Sequence, residues 1–218
     1  FVLNYEKSSD LETAVKEAYL EGNRLNLIFS DYIADSELSK FSRTSNSVSS
    51  EKVKLSKELF QVLQYCLKLS ALSDGSFDPT LGPLSRLWRI SRHQKLFPEK
   101  SKLSHALSRS GAKYLKLDET EQSGQLLASN MVLDLGGVAK GYIADRMMEV
   151  LQDYGFSRSL VDAGGDLRIG DAPVGSAGWK IEIGGREDEK LTILKLANCA
   201  VATSGDTEQF LKINDTQY

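Results

Sequence analysis

The sequence predicts a mixed sheet protein, α/β or α+β, on three observations. Apolar residues recur at helical spacing in some segments and alternate in others, so strands and helices interleave along the chain. The 218 residues are 41% hydrophobic, ample for a packed core in one large domain or two small ones. No internal repeat appears, and no apolar run approaches the roughly 18 residues that span a bilayer.

Residues 1–5 read as a short strand. Ser9-x-x-Glu12 has the pattern of a capping box, opening a helix whose apolar face carries Leu11, Ala14, Val15, Ala18, Leu25 and Ile28. Polar residues from Ser30 to Ser42 cap a short helix that ends in a Ser/Asn-rich loop through Ser50. A second amphipathic helix over 56–73 places Leu59, Val62, Leu63, Cys66, Leu67 and Leu69 at helical period and stops at Asp74-Gly75. Residues 76–84 form a stiff loop, because Pro79 and Pro83 each fix their own φ and bias the preceding residue away from helix. The stretch 86–102 is basic and exposed. A short helix over 103–109, a strand over 114–117 and polar hairpin material over 118–130 follow it.

An apolar strand then runs from Met131 through Asp134 to Gly136-Gly137, and a helix bearing Lys140 extends to about Tyr154. A strand over 159–163 is broken by Gly164-Gly165-Asp166, a sheet bulge that lets a ligand or another strand come near. Residues 178–184 and 191–196 make a hairpin, and 200–206 a strand entering a turn. Residues 209–213 alternate as a strand before a turn at Asn214-Asp215-Thr216, so Gln217-Tyr218 reads as the start of a returning strand and the natural protein is expected to continue. The start at Phe1, without an initiator methionine, reads as a processed or trimmed chain.

Composition excludes several classes of function. The 27 basic residues nearly balance the 30 acidic ones, giving a net charge of -3 without the basic stripe that a nucleic-acid surface requires. The two cysteines, Cys66 and Cys199, lie among apolar neighbours and fill core positions; they are too few for a disulfide framework or a thiolate metal site and leave the redox compartment open. With two histidines, His93 and His105, a His-rich zinc site is excluded and a Ser-His-Asp triad is disfavoured.

The run Met131-Val132-Leu133-Asp134-Leu135-Gly136-Gly137-Val138-Ala139-Lys140-Gly141-Tyr142 suits a phosphate-rich ligand. Paired glycines let the main chain approach oxygen atoms, the free N–H groups of a helix start attract anions, and Lys140 adds positive charge. A tight turn without a ligand explains a lone Gly-Gly more readily. Three further motifs change that balance: Asp35-Ser36-Glu37-Leu38-Ser39-Lys40-Phe41, Asp74-Gly75-Ser76-Phe77-Asp78-Pro79-Thr80-Leu81-Gly82-Pro83-Leu84, and Ala202-Thr203-Ser204-Gly205-Asp206.

In this order and spacing the four motifs resemble the ApbE-like family of FAD:protein FMN transferases, over essentially the whole chain. The resemblance implies an α+β fold of T-fold-like arrangement, a mixed sheet with flanking helices, in a single FAD-binding domain over 1–218 that lacks its C-terminal portion. It implies a magnesium-dependent enzyme that binds FAD and transfers the FMN half to a Ser or Thr hydroxyl of a target protein, releasing AMP. Hydrolysis of FAD as a pyrophosphatase, or FAD binding without catalysis, is the alternative. The implied acceptor is a subunit of a membrane redox complex, and the implied location is extracytoplasmic, periplasmic or lipid-anchored at the membrane surface.

By the same resemblance, Tyr32 and Ser76-Phe77-Asp78 match flavin-contacting positions, Phe77 as an apolar ring wall and Asp78 as a hydrogen-bonding group. Asp134 and Lys140 match FAD-binding positions and are the candidate catalytic pair, while the Gly137 carbonyl matches a magnesium ligand. Thr203, Ser204 and Gly205 supply hydroxyls and N–H groups that face the nucleotide. Each position has a structural alternative: core packing for Phe77, a helix cap for Asp134, a solvated helix face for Lys140, and a cap before Phe210 for 203–206. Function is preferred for Asp134 and Lys140, since a carboxylate ending a Val-Leu run and a lysine in the first helical turn are badly placed for mere solvation. Asp145 is a surface or pairing residue.

The chain departs from the family pattern at Ser42, where many relatives carry asparagine, and at Asp162-Ala163, in place of a more usual Asn-hydrophobic pair. A later His-x-x-Asp-Pro-x-Thr-Gly segment and a magnesium-binding acidic pair of the family are not in this sequence. The chemistry asks little of special side chains, because phosphoryl transfer is mostly positioning and charge neutralisation.

Overall fold

Ser8 starts the first helix: its hydroxyl accepts from the Leu11 N–H at 3.2 Å, and its carbonyl accepts from the Glu12 N–H. The capping box expected at Ser9-x-x-Glu12 is therefore off by one residue, because Ser9 is already helical and Glu12 pairs with Lys7. A computed structural model describes residues 1–46, 51–184, 192–203, 210–213 and 216–217. In chain order the first elements are β1 (Val2–Leu3), α1 (Ser9–Phe29), α2 (Glu37–Arg43), β2 (Val53–Lys54), α3 (Lys57–Leu72), α4 (Gly82–Gln94) and α5 (Lys100–Leu107). They are followed by β3 (Leu115–Asp118), β4 (Ser123–Leu126), α6 (Ala139–Asp153), β5 (Ser159–Asp162), β6 (Leu167–Ile169), β7 (Trp179–Ile183), β8 (Thr192–Leu196), β9 (Cys199–Val201), β10 (Lys212–Ile213) and β11 (Thr216–Gln217). The fold is α+β, with antiparallel strand pairing in every described sheet. No helix among the described residues is long and apolar enough to cross a membrane.

The chain divides into two units. One comprises Phe1–Leu25 and the described part of Lys140–Glu208, the other Asn26–Ala139 and the described part of Gln209–Tyr218. In the first unit, Ala14 and Ala18 of α1 pack with Ala144, Met148 and Leu151 of α6 and Val161 of β5, all essentially buried. The sheet has the order β1-β5-β6-β9, and β7 and β8 form the expected hairpin. The pairing of Leu160 with Ile169 and Asp162 with Leu167 makes Gly164-Gly165-Asp166 the turn of a hairpin, which corrects the expected bulge. Glycine is needed there, since Gly164 and Gly165 take φ of 69° and 89° while the Gly165 N–H donates to the Asp162 carboxylate at 2.8 Å.

In the second unit, α3 begins at the cap Ser56, whose hydroxyl accepts from the Leu59 N–H, and ends at Ser73 before Asp74 and Gly75, both at positive φ. Those limits match the expected helix. Leu59, Leu63 and Cys66 of α3 are fully buried, as are Leu38 and Phe41 of α2. The sheet β2-β4-β3 lies close on the core at Gly124, where a Cβ would come within 2.6 Å of the Phe41 ring.

Two expectations fail in this unit. The loop expected over 76–84 gives way at Gly82 to α4, which runs on into the basic stretch, where no element was expected. Pro83 sits in the first helical turn, where its missing N–H has no bond to lose and its fixed φ already suits the helix. The strand expected from Met131 is an extended segment with one isolated parallel bridge among the described residues, Leu81 to Val132. Met131, Leu133 and Leu135 alternate into the core as a strand would, but the backbone is held by loops and side chains: the Leu133 N–H donates to the Ser42 hydroxyl at 3.1 Å and the Asp134 N–H to the Pro79 carbonyl at 2.8 Å.

Candidate functional site

The buried alternation of Met131, Leu133 and Leu135 leaves Asp134 facing out of the core, its side chain 15% exposed. One carboxylate oxygen accepts from the Gly136 N–H at 2.9 Å, which pins the glycine turn; Gly136 and Gly137 are both exposed. The other oxygen accepts from Arg89 Nη2 at 3.1 Å. Arg89 comes from α4 and also donates, through Nη1, to the carboxylate of Asp31 at 2.6 Å. Its guanidinium lies 4.3 Å from the ring centroid of Tyr32, a cation–π contact. Burial works against the charge of Arg89, but its hydrogen bond to Asp31 and the fields of Asp31 and Asp134 outweigh it and hold the guanidinium above its ordinary value. Tyr32 remains 77% exposed, so this cluster offers an aromatic surface to solvent beside a fixed guanidinium.

Phe77 belongs to the same unit. Its half-buried ring stands against the glycine turn, where a Cβ on Gly137 would lie 3.4 Å from it. Ser76 is exposed next to it. Asp78 turns inward: one oxygen accepts from the N–H and hydroxyl of Thr80 at 2.8 and 2.6 Å, and the other from the Ala112 N–H at 2.9 Å. These bonds make Asp78 a tie that fixes the 76–80 loop. Tyr32, Phe77, Asp134 and Gly137 are thus linked within one unit by Arg89 and the pinned turn.

In the other unit, Lys140 lies in the first turn of α6, with its ammonium 2.9 Å from the Asp166 carboxylate and 3.4 Å from the Gly164 carbonyl. Its side chain is 48% exposed, so the pair is a solvent-screened one. Asp145, expected as a pairing or surface residue, pairs with Arg168 at 2.8 Å. Thr203 is exposed, and Ser204 and Gly205 lie outside the described residues. Among the described residues no group of three or more His, Cys, Asp or Glu is placed to hold a metal ion. The exposed Gly137 carbonyl is one oxygen, whereas a hard cation takes roughly six, so these residues do not by themselves form a magnesium centre.

Sequence reasoning missed Arg89 and Asp31. The signal for Arg89 was Pro83 as a helix-start residue, which sets α4 and thereby the face Arg89 occupies; Asp31 stood beside Tyr32 without a visible partner. It noted Ser42 as a departure, and the structure shows its hydroxyl holding the segment that leads to Asp134.

Comparison with known proteins adds an independent line. Residues 2–218 match the model of the ApbE family. The FAD:protein FMN transferase of Treponema pallidum (strain Nichols) is 26% identical over 233 residues, covering 100% of this chain and 64% of the relative. The FAD:protein FMN transferase of Chlamydia muridarum (strain MoPn / Nigg) is 29% identical over 214 residues, covering 96% of this chain and again 64% of the relative. The chain therefore spans less than two thirds of the length of these relatives. The crystal structure of the ApbE protein from Thermotoga maritima superposes with a TM-score of 0.85 at 28% identity, over 97% of this chain and 69% of that one. With one family matched along almost every residue and the same fold seen in a solved member, the chain belongs to the ApbE family.

Proposed function

We propose that this protein binds FAD and transfers its FMN half to a Ser or Thr hydroxyl of an acceptor protein, releasing AMP. The observation that carries the proposal is the exposed Gly136–Gly137 turn, pinned by Asp134, backed by Arg89 and faced by Phe77. Paired exposed glycines let the main chain come close to a diphosphate, with an aromatic wall for a flat ring beside it. In the transfer, the acceptor oxygen attacks the FMN-side phosphorus, the bond to the bridging oxygen breaks, the hydroxyl proton is lost, and AMP departs. Asp134, with both oxygens engaged, serves to hold the turn, and Lys140 is the cation that the family resemblance assigns to FAD. The names of the relatives support the reaction class, FAD:protein FMN transferase.

The family resemblance supports a magnesium requirement, an acceptor that is a subunit of a membrane redox complex, and an extracytoplasmic place of action. No step is assigned to the metal, because the described residues do not assemble a centre for it. Incubating the full-length protein with FAD, magnesium and a Ser/Thr-bearing acceptor, then weighing the acceptor and assaying AMP, tests the reaction. Acceptor mass rising by one FMN, with AMP released in equal amount and abolished by a chelator, is the expected result. FMN and AMP released with no mass on the acceptor identify hydrolysis instead, and intact FAD under every condition overturns the proposal. Cell fractionation, probing for the protein and its flavinylated acceptor, tests the location.

A further inference from the structure

The segment 86–102 holds six Lys and Arg against one Glu, in a chain whose net charge is -3. In the second unit α4 and α5 pack on each other, and residues 95–99 form the turn between them. α4 ends there in a left-handed cap. Lys95 takes φ of 53°, its N–H donates to the Arg92 carbonyl at 3.4 Å, and the Leu96 N–H reaches back to the Ser91 carbonyl at 3.2 Å. In such a cap the residue in the place of Leu96 commonly closes on an apolar side chain of the last helical turn. Its counterpart here is the buried Ser91, and Leu96 stays 63% exposed. Phe97 follows it, also exposed, and its ring meets that of the exposed Trp88 edge-on, with centroids 6.4 Å apart. An aliphatic side chain and an aromatic pair thus stand in solvent at a turn whose backbone is fixed. The cations beside them divide into two sets. Arg86 and Arg89 are tied to Asp31, and Glu99 is committed to Lys102 at 3.0 Å. Lys95 and Lys100 are exposed, and among the described residues no carboxylate pairs with either. Such a combination suits the boundary of a bilayer, where rings and alkyl groups sit among the headgroups and ammonium groups meet lipid phosphates. Protein interfaces are enriched in aromatic residues and Arg but depleted in Lys, so the two lysines favour lipid over a protein partner.

We propose that the α4–α5 turn is a membrane-docking site: Leu96, Phe97 and Trp88 enter the headgroup region of a bilayer, and Lys95 and Lys100 meet anionic headgroups. The site does not depend on the FAD reading. α4 also carries Arg89, roughly 9 Å along the helix from Lys95, so docking holds the Asp134 cluster near the bilayer. The test is co-sedimentation of the purified protein, without FAD, with vesicles of phosphatidylcholine alone and of phosphatidylcholine with about one third phosphatidylglycerol. Binding to the anionic vesicles about tenfold tighter than to the neutral ones, and weakening as salt rises, is the expected result. Lys95→Gln/Lys100→Gln and Leu96→Ser/Phe97→Ser each weaken it by about tenfold, and thermal melting confirms that each variant is folded. Tryptophan emission shifts to the blue on binding, and the shift is lost in Trp88→Phe. Ile90→Ser changes an exposed residue about 200° round α4 from Trp88 and leaves binding as it was. Absence of binding to the anionic vesicles overturns the proposal, as does binding that both double variants leave intact. Binding that needs the lysines but not Leu96 and Phe97, and that polyglutamate competes away, also overturns it and reassigns the turn to an acidic protein partner. Because FAD is absent throughout, failure of the transferase reading leaves this result standing.

Discussion

Arg89 joins three residues that the sequence separates by more than a hundred positions, and its energetic role follows from what its removal would leave behind. Asp31 has a side chain only 7% exposed and Asp134 one 15% exposed, so without the guanidinium both carboxylates lose a partner while still partly desolvated. Arg89→Gln is expected to destabilise the protein by about 1–3 kcal/mol in urea unfolding. It is also expected to weaken FAD binding, because Asp134 loses the contact that orients it over the Gly136 N–H. The double variant Asp31→Asn/Arg89→Gln should cost less than the sum of the two single changes, since the unpaired charge is gone; additive costs would show that the two do not act as a pair. Lys at position 89 restores charge but not the two-pronged reach, and should recover stability more than affinity. Residue identity alone could not reveal this hub: Tyr32, Phe77, Asp134 and Gly137 were legible as motif positions, whereas Arg89 was one basic residue among several in a stretch read as solvated.

At the scale of elements, legibility followed how local the determinant was. The helix over 57–72 was readable because its caps, Ser56 and Ser73, and its buried stripe all lie within the segment. The extended run at 131–135 showed the right burial pattern, but its backbone partners are Pro79, Ser42 and Ser45, far away in sequence, so a sheet was inferred where tertiary ties stand. At Ser8 and Ser9 two capping residues stood side by side and only the fold chose between them. Ser8→Ala is expected to cost about 1 kcal/mol, and Ser9→Ala less than about 0.5 kcal/mol, in chemical denaturation; equal costs would return the cap to Ser9. Gly82 tests how the element carrying Arg89 is fastened to the Asp134 segment. Its N–H donates to the Val132 carbonyl at 3.2 Å, and a Cβ would lie 2.5 Å from that same oxygen. Gly82→Ala must therefore push the two segments apart, and about 1–3 kcal/mol of destabilisation is expected. Circular dichroism showing retained helix with weakened FAD affinity would locate the damage at this junction, whereas wild-type stability would show that the bridge is dispensable.

For the molecule as a whole, the α+β class was legible because strand and helix periodicities alternate along the chain, and the near-balance of charge, with a net of -3, makes its pH response a matter of individual sites rather than of bulk repulsion. On the acid side, the hydrogen bond from Arg24 holds Glu21 below its ordinary 4.5, and that from Lys52 holds Asp118 below its ordinary 3.8. These groups are charged more readily in the folded chain than in the unfolded one, so their contribution is complete above those ordinary values and fades as pH falls through the lowered ones; the Lys52–Asp118 pair is solvent-screened, and the effect is small. The alkaline side has a strong determinant among the described residues. Cys66 is fully buried, and burial pushes its thiol from 9.0 up to about 12. In the unfolded chain the thiol ionises near its ordinary value while the folded chain keeps it neutral. Stability is therefore fully present below pH 9 and lost as pH rises from 9 toward 12, by about 1.4 kcal/mol per unit. Urea midpoints measured across this range should fall steeply for the wild type and less steeply for Cys66→Ala. The variant's cavity lowers its stability at every pH, so the slope, not the height, is the readout. Identical slopes would mean that the buried thiol is not what limits the folded state in base.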